Sequence, residues 1–166
     1  MTAVDANVGA GVAEDSKVDL IRLADGESGL AVQVLGRHMP GVLPWHDFLD
    51  AEIVVTSGFA HGRLDVCLAQ EDLDSWSQVL GALAAGRDAA WMDDGRNPEI
   101  RFELSGQDGV AVVVVEDMAG SGTSVRVPVR LADGWGDEHY ERLQHVRAAW
   151  PQEVLETSPG AYEWRR

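Results

Sequence analysis

Apolar and polar positions alternate along most of this chain, and the places where the period changes mark its elements. The clearest change lies between Gly62 and Gly86. From Arg63 to Leu68, Leu64, Val66 and Leu68 alternate with Arg63, Asp65 and Cys67, which is the period of a half-buried strand. From Gln70 the period becomes helical: Leu73, Trp76, Leu80 and Leu83 recur three and four apart and share one face. Gly86 is placed to end this helix, because glycine accepts the left-handed backbone common just past a helix terminus. The start is poorly capped. Ala69 stands where Ser, Thr or Asp would satisfy free amides, and Glu71, Asp72 and Asp74 compensate through the helix dipole.

Six further strands follow from the same pattern. Val18–Ala24 and Leu30–Leu35 form a hairpin across the turn Asp25–Gly29. Ala51–Ser57, Glu99–Leu104, Val110–Glu116 and Ser124–Leu131 complete the set. Leu20 and Ile21 are adjacent, and five valines crowd Val110–Val115, so these two strands are expected to be covered on both faces. Pro128 has no amide to donate, which places its strand at a sheet edge or at a bulge. Tyr140, Leu143, Val146 and Trp150 predict a second helix over Asp137–Trp150, stopped by Pro151. Residues 1–16 read as a flexible tail, 17–155 as one domain, and 156–166 as an irregular C-terminal tail. The order is ββββα-βββα, and short turns favour antiparallel pairing. The expected architecture is α+β: a mostly antiparallel sheet of about seven strands with two helices packed on one face. A helix closing each half hints at a distant internal duplication.

Composition narrows the picture. A domain within 166 residues buries a core without staples. The single cysteine, Cys67, excludes an intramolecular disulfide and a cysteine-cluster metal site. No apolar run reaches membrane-span length and no basic-then-apolar start marks a signal peptide, so the expected compartment is the cytoplasm. Asp and Glu number 28 against 13 Lys and Arg, a net charge of −15, with Lys17 the only lysine. Such a field disfavours nucleic acid and anionic membranes and attracts a basic protein partner.

Candidate chemistry is sparse. His46-Asp47 has the composition of a base beside an orienting carboxylate, with His38 in the same 36–50 loop, but adjacent side chains face apart and no nucleophile is marked nearby. His139 and His145 are six residues apart on a helix, so they lie on different faces and cannot share one metal. Cys67 sits opposite the apolar face of its strand and reads as inert. Gly120-Ser121-Gly122 and Gly134-Trp135-Gly136 lack a phosphate-loop lysine and the dinucleotide fingerprint, and read as turns. No catalytic residue, cofactor site or metal site is therefore expected. Of six tryptophans, Trp76 and Trp150 have core spacing, while Trp45, Trp91 and Trp135 fall in loops. Loop tryptophans beside charges suit partner anchoring. The candidates are Trp45 and Asp47 in the first long loop, and Trp91, Asp93, Asp94, Arg96 and Asn97 in the second.

The segments Val18–Gly26, Pro40–Leu43, Gly95–Ile100 and Ser124–Pro128 resemble an uncharacterised domain family of high-GC Gram-positive bacteria, over about residues 17–155. That resemblance implies no activity. A weaker likeness is to WapI-type immunity proteins, which neutralise bacterial toxins. It rests on strand order, the acidic Leu68–Trp76 entry to the first helix, a proline before the next strand and a closing helix. The expected function is non-enzymatic protein binding, most concretely an immunity-like inhibitor of a basic toxin. Two alternatives stand beside it: a small-molecule-binding protein or enzyme using the 36–50 loop, and a homodimerising accessory or regulatory protein that pairs through a strand edge.

Overall fold

The computed structural model describes residues 17–104 and 108–166, so the expected tail at 1–16 lies outside the described residues. The fold is α+β, with two helices and antiparallel sheets among the described residues. Strands β1 (Val18–Ala24), β2 (Gly29–Arg37), β3 (Leu49–Thr56) and β4 (His61–Leu68) form a four-stranded meander that leads into helix α1 (Gln70–Ala84). Strands β5 (Ala89–Trp91), β6 (Glu99–Leu104), β7 (Val110–Asp117) and β8 (Thr123–Arg130) form a second meander, followed by helix α2 (Trp135–Ala149). A hairpin of β9 (Val154–Ser158) and β10 (Ala161–Trp164) ends the chain.

Two expectations need correction. The strands divide into three sheets rather than one sheet of about seven. The added strand β5 has three residues, too few to show a period, and it completes a ββββα unit in each half. The stretch expected to be irregular, 156–166, instead contributes to the β9–β10 hairpin, turned by Pro159 and by Gly160 at φ 79°.

One apolar cluster joins the two sheets to the two helices. Leu73, Trp76, Leu80 and Leu83 of α1 are all buried, as their spacing requires. Trp76 packs against Trp91 and Phe102 with ring centroids 5.3 and 5.5 Å apart. Burying rings of this size supplies roughly 2–3 kcal/mol each. Helix α1 ends as its sequence dictates. Gly86 takes φ 73° and donates to the Leu83 carbonyl, and Arg87 donates to that of Ala82. At its start, the Asp72 carboxylate accepts the Ala69 amide at 2.7 Å, so the missing N-cap side chain is replaced from within the first turn.

The doubly apolar strands have different explanations. In β1 a bulge between Asp19 and Ile21 turns Leu20 and Ile21 both inward, and both are fully buried. In β7, Val113 and Val115 face the core, while Val114 is buried on the other face between its ladder partners Arg101 and Arg126. Those arginines pair with Glu116 and Glu103, and their stems form the cover. Pro128 lies on β8, an edge strand of its sheet. The edge strand β1 is served by α2: the Arg22 amide donates to His139 Nε2 at 3.1 Å, and His139 Nδ1 donates to the Trp135 carbonyl at 2.6 Å. Burial pushes the His139 pKa below its ordinary value, as expected of an imidazole that serves as a neutral core linker. His145 is exposed on another face of α2.

Candidate functional site

The register of the first sheet collects the polar features of interest at one end. Leu49 pairs with Leu68, and the chain leaves β4 directly into α1. The long loop between β2 and β3 closes there through the His38 amide and the Phe48 carbonyl, 2.8 Å apart. The C-terminal hairpin folds back onto the same loop.

Asp47 is the main tie. Its carboxylate accepts the amides of Glu153 (3.0 Å) and Val154 (2.8 Å) and pairs with Arg37 at 2.9 Å. Arg37 also donates to the Pro151 carbonyl at 2.7 Å. His46 receives the Gly41 amide on Nδ1, which leaves the proton on Nε2, directed at Glu153 at 2.5 Å. The Trp164 ring packs edge-on to His46 at 4.7 Å. The adjacent His46 and Asp47 therefore do not form a base and its orienting carboxylate. They face different partners and together fasten the hairpin to the body. The Asp47 carboxylate is therefore engaged by internal partners, at the floor of the same loop.

The fastened hairpin creates a groove of about 250 Å³. Leu43, Pro44, Trp45 and Phe48 line one side, Val154, Glu156 and Tyr162 another, and Ala69, Gln70 and Glu71 the start of α1. Trp45 is 47% exposed and packs on Phe48 with centroids 5.2 Å apart. Glu71 and Glu156 are exposed on the rim. The groove offers aromatic faces beside carboxylates, a combination that accepts a cationic side chain by ring quadrupole and by charge. Of the expected partner contacts, Trp45 and Asp47 line it. Tyr162, Glu71 and Glu156 were not legible, because they come from segments far from Trp45 along the chain.

The second expected cluster is built differently. Trp91 is fully buried on β5, and its indole N–H donates to the Asp72 carbonyl at 2.8 Å. It is a core residue and cannot anchor a partner, which corrects its assignment as a loop tryptophan. Arg96 turns back to Asp72 at 3.1 Å and to Asp94 at 2.5 Å. Asn97 donates to the Cys67 carbonyl at 3.0 Å. Asp93 and Asp94 are exposed. Burial pushes the Asp72 carboxyl above its ordinary pKa, against the pull of the Ala69 amide and Arg96. This loop is an internal brace with an acidic outer edge.

Between the two clusters, on the outer face of the first sheet, lie His38, Asp50 and Cys67. Asp50 and Cys67 are ladder partners, and His38 Nδ1 meets Asp50 Oδ1 at 2.7 Å. Burial pushes the Cys67 thiol above its ordinary pKa, and Asp50 and Asp72 push the same way, so it is not an activated nucleophile.

An α+β domain with an acidic, aromatic groove at one end is the class of protein this geometry defines. Its family follows from its sequence: residues 18–151 match DUF5959, a family of unknown function, and the chain belongs to it. The matched span includes Trp45, Phe48 and Glu71 and stops before the β9–β10 hairpin. No curated protein and no solved structure matches the chain.

Proposed function

We propose that this is a non-enzymatic, protein-binding domain whose partner presents a basic segment to the groove, in the manner of an immunity protein neutralising a basic toxin. The observation that carries this reading is the exposed Trp45, packed on the half-buried Phe48 and flanked by Glu71 and Glu156, in a chain of net charge −15. Charge complementarity would speed association and make it salt-dependent. The reading includes a cytoplasmic location. Among the described residues, no helix is long and apolar enough to cross a membrane.

Calorimetric titration with an arginine-rich peptide tests it. Trp45→Ala is expected to weaken binding by at least about tenfold, a loss of ~1.4 kcal/mol. Equal affinity for both proteins would refute the groove as the binding site.

A second reading, self-association, is favoured by the opposite end. Phe59 is fully exposed and Met118 is 68% exposed. Their two turns flank a mostly apolar slot of about 140 Å³ lined by Ile53, Leu64, Val115 and Val125. Solution mass at micromolar concentration tests it. A monomer would remove this reading and leave the groove untouched.

A further inference from the structure

We infer that His38, Asp50 and Cys67 form a binding site for a single late first-row divalent ion, with zinc the best fit. Three strands bring the ligands together. Asp50 on β3 stands directly across the ladder from Cys67 on β4. His38 follows the end of β2, two residues beyond Gly36, which is itself the ladder partner of Asp50. The period of two therefore puts all three side chains on the outer face. One ligand atom from each lies within 4.8 Å of the other two. Tetrahedral zinc holds its ligand atoms roughly 3.3–3.8 Å apart, so rotamer adjustment of about an ångström closes the site.

The donor set selects the ion. One sulfur, one imidazole nitrogen and one carboxylate oxygen suit zinc, cobalt or nickel, whereas calcium and magnesium require oxygen ligands. On binding, the thiol proton leaves to solvent and the sulfur–metal bond takes its place. His38 binds as neutral imidazole. Three protein ligands leave a fourth position for water. The cluster has supporting contacts of its own: the Cys67 carbonyl accepts from Asn97, and the His38 amide closes the loop onto Phe48. Cation binding here would cross-link the ends of β2, β3 and β4 at the base of the loop that carries Trp45.

Cobalt(II) titration of the full chain, prepared without a histidine tag, reads the site directly. The expected result is one equivalent bound, with a thiolate-to-cobalt band in the near ultraviolet and visible bands of four-coordinate intensity. Zinc should displace both. Cys67→Ser should abolish the near-ultraviolet band, and His38→Ala or Asp50→Asn should weaken binding by at least about tenfold. All three residues lie at the surface or partly so, and unchanged far-ultraviolet circular dichroism confirms that each variant folds. The inference is overturned by no saturable binding, by a spectrum without the thiolate band, or by binding that survives Cys67→Ser unchanged.

Discussion

Two loops of similar composition end up with opposite roles. Each holds a tryptophan close to acidic residues and is bound to the body by an arginine. In the 36–50 loop the Arg37–Asp47 pair holds the backbone inward, and Trp45 is left 47% exposed. In the 87–98 stretch, Trp91 falls on β5 and is drawn wholly into the core, and the charges of Asp94 and Arg96 close over Asp72. The difference is register. Trp91 is the ladder partner of Ile100, a core position, so its direction is set by the sheet. Trp45 lies outside any ladder. Residue type near charge does not distinguish an anchor from a core ring; position relative to a strand does.

Truncating the two rings should separate them most. Trp91→Ala is expected to destabilise the fold by about 3–5 kcal/mol, whereas Trp45→Ala should cost under about 1 kcal/mol. Chemical denaturation with an unchanged slope would measure both. Comparable losses would break the contrast.

Next in size is the tie itself. Asp47→Ala leaves the Glu153 and Val154 amides without their side-chain acceptor and removes one of the partners of Arg37, at a cost of about 2–3 kcal/mol. Amide hydrogen exchange should quicken at Val154 and through the hairpin and stay slow in β6 and β7.

His139 supplies a pH effect. Its folded pKa is depressed by burial, so the unfolded chain takes up protons first as pH falls. Stability is complete above the unfolded value near 6.5 and is lost as pH drops below it. Unfolding midpoints at pH 7.5 and 5.5 should differ in the native chain and differ less in His139→Gln. An unchanged difference would remove His139 as the cause.

The smallest effect belongs to Arg96→Ala. Its side chain is half exposed, so solvent screening limits the loss to about 1 kcal/mol or less.

Much of the fold was legible because local pattern and tertiary burial agree. The alternation of β4, β6 and β8, the apolar face of α1 and its glycine stop all appear at the expected positions. What was illegible depends on distant partners. In the hairpin only Val154 is buried, so its strands lack the alternation that marks β6. Only Pro159-Gly160 signals its turn, and what holds it in place is Asp47, more than a hundred residues away. The same applies to the sites. Trp45 was recognisable by type, but Glu71 reaches it only through the β4–α1 junction, and Tyr162 and Glu156 only after the hairpin docks. His38, Asp50 and Cys67 are separated along the chain and become neighbours only through the pairing register.

The most direct test of the central claim, that the Trp45 groove receives a basic segment, is a residue-resolved NMR titration with an arginine-rich peptide at physiological salt. The account predicts saturable shifts concentrated at the Trp45 indole, Phe48, Glu71 and Tyr162, and their loss when Glu71→Gln and Glu156→Gln are combined. Shifts scattered evenly over the acidic surface, or centred on the outer edge at Asp93 and Asp94, would contradict it.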